Sequence, residues 1–278
     1  MDTLKLCYAI WSWGTKTIEG TEAAYADVSK IGYKSVENVR HTIDAYGRDV
    51  KLFNSLYEKY DVKTESFFFG LPFKGQEDEF FKTLEKDLEF VAEAGINKIT
   101  LQGTAGRPEG EMTKSEMAHN VKHINRFANL AKEFDITVGV HNHVNNYTMY
   151  ANEIDYVLQN TDPTLVHFVP DTGHMAAAGI NPLEYISKYS DRISFTHIKD
   201  FKLKEDGSLG GWSEELIPVT RTFRILGEGV IDCKAIIDTI VASGYDGALG
   251  IELDLACPTH FEGALKNLEY MKNYFDKE

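Results

Sequence analysis

The stretch VGVHNH (138–143) closes an apolar run with two histidines, His141 and His143, spaced i and i+2. In an extended chain that spacing puts both imidazoles on one face. Downstream, PDTGHM (170–175) supplies Asp171 and His174, THIKD (196–200) supplies His197 and Lys199, and IELD (251–254) supplies Glu252 and Asp254. Imidazole nitrogens and carboxylate oxygens move protons near neutral pH and bind divalent cations of intermediate softness. Asp171, His197, Glu252 and one histidine of VGVHNH would make a set of two oxygens and two nitrogens. That set suits one divalent metal, Mn²⁺ first, with Co²⁺, Zn²⁺, Fe²⁺ or Mg²⁺ behind it, better than Ca²⁺. Four protein ligands on an octahedral ion leave two positions for substrate oxygens, the arrangement for polarising a carbonyl and its neighbouring hydroxyl.

Such groups must be positioned by the elements around them. Short β-rich runs alternate with amphipathic segments along the whole chain. The strands are expected at 5–10, 35–39, 63–69, 98–103, 137–143, 166–171, 193–200 and 248–254. Helical periodicity falls between them, as in EFFKTLEKDLEFVAEAG (79–95) and CKAIIDTIVASGY (233–245). Eight strand–helix pairs without a linker predict an α/β protein, a single (β/α)8 TIM barrel over residues 1–278. An open doubly wound sheet would lead one to look for GxGxxG after the first strand, and none is there. In a parallel barrel, side chains alternate between the helix layer and the interior, and active sites lie at the strands' C-terminal ends. Packing Val138 and Val140 outward turns Gly139, His141 and His143 inward. The same test turns Asp171 inward, puts Phe195, His197 and Lys199 on one face, and pairs Glu252 with Asp254. Glu37, Glu65 and Gln102 are expected to join them at one mouth.

Composition narrows the function classes. The 278 residues carry a net charge of −14, against a nucleic-acid surface, which needs clustered Lys and Arg. The three cysteines form no CxxC, so neither a disulfide framework nor a thiolate zinc knot is expected. The N-terminal residues lack a signal peptide's cationic flank and long apolar core, and no run reaches the roughly 18–20 apolar residues of a membrane span. A cytoplasmic enzyme acting on a small molecule is the expectation.

The order of these residues, together with PDTGHM, THIKD and the tail LGEGVIDCKAIIDTIVASGYDGALGIELD (226–254), resembles the xylose isomerase-like barrels of the sugar isomerase, epimerase and inosose dehydratase superfamily. The resemblance spans the chain and is densest from 137 to 254. It implies that Asp171, His197 and Glu252 bind one divalent metal and that His174 touches substrate or metal-bound water. Ketose epimerases of the family end the fifth strand with a metal-binding glutamate. Here His141 holds the matching position, with His143 two residues on, which leaves open which histidine is the ligand. A His-rich fifth strand and the acid two residues after the last glutamate resemble the inosose dehydratase branch and lyases of 3-keto sugars and 3-keto glycosides. The family also implies an oligomer, in some lyases with a small partner subunit.

The shared chemistry is proton abstraction beside a carbonyl, for which histidine has a suitable pKa. His143 or His174 is the expected base of a lyase acting on a keto sugar, keto-cyclitol or 3-keto glycoside. In the alternative, an isomerase or epimerase, Glu252 and a histidine act as paired bases. A metal-dependent phosphodiesterase and a silent sugar-binding barrel are remoter alternatives. For substrate binding, the candidates are Trp13 (with Trp11 in AIWSWG), Glu37, Gln102, Lys199, Arg221, Arg224 and Glu228. His41, His119, His123 and His260 fall on loop or helix positions and read as structural or exposed.

Overall fold

A computed structural model describes residues 5–203, 207, 222–254 and 258–276. Strands β1 (Leu6–Ala9), β2 (Ser35–Val39), β3 (Lys63–Gly70), β4 (Lys98–Gln102), β5 (Thr137–His141) and β6 (Val166–Val169) pair consecutively and in parallel. Two short strands, β7 (Asp200–Phe201) and β8 (Phe223–Arg224), pair antiparallel apart from this sheet, and β9 (Leu249–Ile251) joins it beside β1. The main sheet therefore has seven strands in the order β6-β5-β4-β3-β2-β1-β9.

Helices fill the connections: α1 (Ile18–Ile31), α2 (Arg40–Ala45), α3 (Val50–Tyr60), α4 (Glu77–Glu93), α5 (Lys114–Lys132), α6 (Ala151–Gln159), α7 (Thr172–Ala177), α8 (Pro182–Lys188), α9 (Cys233–Ala242) and α10 (His260–Phe275). Their ends follow local chemistry. The Thr17 hydroxyl accepts the Gly20 N–H at the start of α1, and Gly32 ends that helix at φ +113°. Thr113 and Glu116 form a reciprocal capping box at α5. Val121, Ile124, Phe127, Ala128 and Ala131 then make a buried stripe at helical spacing. They belong to the main core with Val138 and Val140 of β5 and Ile99 and Leu101 of β4, between sheet and helices. A separate small cluster of Cys7, Val169, Phe195 and Ala248 and the Ser66–Thr100 hydroxyl contact (3.2 Å) involve residues of the opposite strand parity.

The expected strand at 193–200 departs from a regular ladder. Residues 193–198 make only isolated parallel bridges, Phe168↔Ile193 and Asp171↔His197 on one side and Ile198↔Ile251 on the other. The Ser194 N–H reaches Phe168 O at 3.1 Å, but the next donor along β6 would come from Pro170, which has no N–H. The Ser194 carbonyl accepts the Tyr245 hydroxyl instead, at 3.3 Å. The register then slips by one residue before His197 N–H reaches Pro170 O at 2.9 Å. On the β9 side the Thr196 hydroxyl accepts the Gly250 N–H at 3.0 Å in place of a backbone rung. A Cβ on Gly250 would lie 2.1 Å from the Thr196 carbonyl oxygen, so the close approach requires glycine.

Among the described residues, no helix is long and apolar enough to cross a membrane.

Candidate active site and metal centre

The C-terminal ends of β5, β6 and β9 and the irregular segment 193–198 bring His141, Asp171, His197 and Glu252 together. One ligand atom from each lies within 4.8 Å of all the others, and all four residues are buried. His141 Nε2 stands 3.2 Å from Asp171 Oδ2 and 2.9 Å from His197 Nδ1. His197 Nδ1 is also 2.8 Å from Glu252 Oε2.

Each ligand is oriented from behind. The Asp171 Oδ1 caps α7 by accepting the His174 N–H at 2.8 Å, which turns Oδ2 toward the centre. Asn142, whose side chain points away from the two histidines flanking it, clamps the Asp171 backbone: its Oδ1 accepts the Asp171 N–H at 2.8 Å and its Nδ2 donates to Asp171 O at 3.1 Å. His197 Nε2 contacts Glu37 Oε2 at 2.5 Å, while Glu37 Oε1 accepts the Thr100 hydroxyl at 2.6 Å. That carboxylate–imidazole pair leaves Nδ1 of His197 as its inward nitrogen. The Trp11 indole donates to Glu252 Oε1 at 2.8 Å, and Glu252 Oε2 makes no aligned hydrogen bond although it is buried.

The pocket calls for positive charge. Glu37, Asp171, Glu252 and Asp254 face it, and Lys199, fully buried, touches three of them: Asp171 Oδ2 at 3.0 Å, Glu252 Oε2 at 3.1 Å and Asp254 Oδ2 at 2.8 Å. Burial opposes charge on His197, yet Glu37 and Glu252 beside it hold its pKa well above the ordinary value. Lys199 is likewise raised, burial being overcome by Asp171, Asp254 and Glu252. Burial pushes the Asp254 carboxyl up to about 7, against the opposing pull of Lys199. A convergent set of two imidazoles and two carboxylates, all buried and with one donor atom of each within 4.8 Å of the others, fits a divalent cation.

Lys199 is thus packed behind the carboxylates, outside the cavity wall. Removing the ammonium would leave three buried acids without their partner. Lys199→Met is expected to destabilise chelator-stripped protein by about 3–5 kcal/mol, measured as a lowered urea midpoint. An unchanged midpoint would mean the acids do not depend on it.

Beside the four residues of the cluster, the His143 and His174 rings lie with centroids 3.8 Å apart and planes tilted by 36°. His143 Nδ1 is 2.5 Å from the Val144 carbonyl, a contact only an N–H can make, so Nε2 carries the free lone pair. Burial, then the neighbouring His141, lowers the His143 pKa to about 3, and burial with His143 nearby holds His174 well below its ordinary value. Both rings are neutral. His143 lines a cavity of about 470 Å³ together with Trp11, Glu37, Phe68, Gln102, Glu252 and Asp254. His174 lies behind His143, its ring edge-on to Phe223.

Several residues proposed from the sequence lie elsewhere. Trp13 donates to Asp27 at 3.0 Å and packs on Tyr8 and His260, away from the cavity. Trp11–Trp13 is a 3-10 turn rather than strand, so residues two apart no longer share a face, and it is Trp11 that reaches the site. Glu65 sits near the start of β3, where the register shifts against β2, and pairs with Lys98 at the opposite end of the sheet. Glu228 is exposed, 4.0 Å from Lys266. Arg224 lies in β8 with Nη1 on the Phe223 carbonyl, outside the cavity wall. Arg221 falls outside the described residues. Conversely, Arg40 and His41 line the cavity and were not proposed, while Phe68 of the FFFGLPF segment (67–73) is the residue of that run that does reach the cavity. Phe68 stacks over His197 at 6.1 Å and meets His141 edge-on. Alternation within FFF singles it out, since Phe67 and Phe69 occupy the core and the middle ring must face the other way.

The chain is similar to the inosose dehydratase of Clostridium tetani (strain Massachusetts / E88), 26% identical over 269 residues that cover 90% of this chain and 88% of that one. It is also similar to the inosose dehydratase of Lacticaseibacillus casei, 27% identical over 270 residues, covering 90% and 88%. Among solved structures it superposes on an IolI protein with a bound zinc atom, TM-score 0.77 at 16% identity, covering 99% of both chains. An L-ribulose 3-epimerase gives a TM-score of 0.79 at 15% identity, covering 99% of this chain and 95% of that one. These structural likenesses show the TIM-barrel fold. Residues 25–274 match the family described as the xylose isomerase-like TIM barrel, and the chain belongs to that family.

Proposed function

We propose that this chain is a single-domain, divalent-metal-dependent lyase that removes the proton beside the carbonyl of a keto-cyclitol or keto sugar and expels a β-hydroxyl as water. The observation that carries the reading is the placement of a neutral, tautomer-fixed imidazole, His143, on the cavity wall beside the His141, Asp171, His197 and Glu252 cluster. Its similarity to inosose dehydratases across 90% of the chain supports a keto-cyclitol as the substrate. The barrel closes as a (β/α)8 unit through the bulged segment 193–198, which bridges β6 and β9.

His141 Nε2, Asp171 Oδ2, His197 Nδ1 and Glu252 Oε2 would hold the cation. Bound there, it supplies Lewis-acid polarisation of the carbonyl and fixes charge opposite the developing enolate; Mn²⁺, Co²⁺ and Zn²⁺ all suit such donors. His143 Nε2 accepts the α-proton. His174 packs against the His143 ring and limits its movement. Asp254, held by Lys199 and lining the same cavity, is placed to give a proton to the departing hydroxyl. Trp11 and Phe68 supply the apolar wall that excludes water from the carbanionic centre. The protein works on a small carbohydrate in the cytoplasm.

A second reading is favoured by the epimerase-like architecture: return of the proton to the opposite face of the same carbon, giving an epimer. Product mass distinguishes the two. Inososes, keto sugars and 3-keto glycosides incubated with metal-loaded enzyme should lose water, or an aglycone, if the first reading holds. Conserved mass with changed stereochemistry would replace it by the second.

Glu37 tests the ligand set without entering it. Glu37→Gln keeps the side chain's shape but weakens the imidazole it orients, and is expected to reduce metal affinity about 10–100-fold. A competition titration with a chelating dye reads this directly. Unaltered affinity would take His197 out of the set.

A further inference from the structure

Outside the catalytic cavity, α4 and α5 bring Glu77, His119 and His123 together. Glu77 is the first residue of α4, and the histidines, four apart on α5, project from one helix face with ring centroids 4.5 Å apart. Glu77 Oε1 lies 2.7 Å from His119 Nε2 and 4.0 Å from His123 Nε2, and one donor atom from each residue is within 4.8 Å of the others. Despite the short distance, Glu77 Oε1 and His119 Nε2 form no aligned hydrogen bond, and both are buried without another partner. Two lone-pair atoms side by side but not in line with each other are placed as ligands of a common third atom. An ion pair would instead aim the imidazole N–H along the line to the oxygen.

The three side chains are held ready. Glu77 Oε2 accepts the Gly75 N–H at 2.6 Å, which fixes the carboxylate plane. The His123 side chain is only 8% exposed and its ring stacks on Phe81 at 5.8 Å. The neighbouring cation, Arg126, lies over the Phe81 ring at 3.9 Å and beside Asp78 at 3.8 Å, leaving Glu77 to the histidines.

We propose that Glu77, His119 and His123 form a second metal site, separate from the catalytic cluster, that takes a zinc-class divalent cation with water as its fourth ligand. Two imidazoles at i and i+4 with one carboxylate match the donor types and geometry that tetrahedral zinc takes. Its role is mechanical. The loop between β3 and α4, whose Phe73 bridges Ala105, would be stapled to α5 beside the cavity mouth.

The inference stands whether or not the proposed reaction is right, because it is read from metal content and melting. Chelator-stripped wild type, Glu77→Gln and His123→Ala would be loaded with zinc, desalted and assayed by mass spectrometry of the metal. Wild type should retain one equivalent more than either variant, and the variants' zinc affinity at that site should fall at least about 100-fold. Zinc should raise the melting temperature of wild type by more than that of Glu77→Gln, the variant that leaves helix packing intact should His123→Ala not fold. Equal zinc content and equal melting shifts in wild type and Glu77→Gln would overturn the site.

Discussion

Replacing Glu252 with glutamine is expected to lower kcat/KM by about a thousandfold or more, the scale of losing a group that fixes developing charge. Glu252 makes three contacts, of which a neutral amide can keep only the one that accepts the Trp11 indole. Its Oε2 faces His197 Nδ1 at 2.8 Å inside the ligand cluster, and the same oxygen meets the Lys199 ammonium at 3.1 Å. Its Oε1 accepts the Trp11 indole, tying the cavity wall to the cluster. Glutamine preserves size, so the variant should fold, and its metal content after dialysis should drop together with activity. Retained metal with lost turnover would place Glu252 among the proton-transfer groups instead. Full activity would remove the cluster from the reaction altogether.

His143→Ala is expected to cost about 10²–10⁴-fold in turnover, the usual contribution of a general base. The metal content should stay at the wild-type level, because His141 and not His143 belongs to the cluster proposed to hold the cation. The diagnostic measurement is deuterium exchange at the substrate α-carbon, which reports proton abstraction whether or not elimination follows. Exchange should fall in parallel with turnover. If exchange survives in His143→Ala and vanishes in His174→Ala, the two imidazoles have been assigned in the wrong order. A catalytic imidazole with a pKa near 3 in the free enzyme is a weak base in bulk terms. Its effectiveness rests on the substrate C–H becoming acidic at the same place, next to a polarised carbonyl. The low pKa also keeps the ring neutral throughout the neutral range, so no activity is lost there to prior protonation.

Strand parity carried much of the site in one dimension. Once Val138 and Val140 are assigned to the helix side, His141 must face the other way, and the structure brings it to Asp171, His197 and Glu252. The same alternation, extended through Phe67, Phe68 and Phe69, singles out Phe68 as the cavity-facing ring of that run. What defeated it was any place where the chain stops being a strand. Trp11 and Trp13 part company because a 3-10 turn rotates residues by about 120° each, so only Trp11 of the two reaches Glu252, where a period of two would have kept both on one face. Glu65 was placed at the mouth on sequence grounds, but it sits early in β3, at a register shift, and pairs with Lys98 at the far end.

Alone, the sequence determined the alternation of strand and helix, the caps that bound the helices, and which residues bear ligating atoms. These are local properties, set by side-chain type and by periods of two and 3.6 residues. Tertiary structure decided which atom of each residue points where. In the sequence His141 held the matching ligand position and His143 was an expected base, with the choice of fifth-strand ligand still open between them. They became distinct because the Val144 carbonyl claims Nδ1 of His143, while Asp171 and His197 meet Nε2 of His141. Likewise Lys199, polar and inward by parity, became a buried counter-ion only when three carboxylates from two distant segments closed around it. Contacts between residues far apart in the chain depend on register, bulges and the exact turn at each strand end. Pro170 and Gly250 set those here, through a missing donor and a missing Cβ.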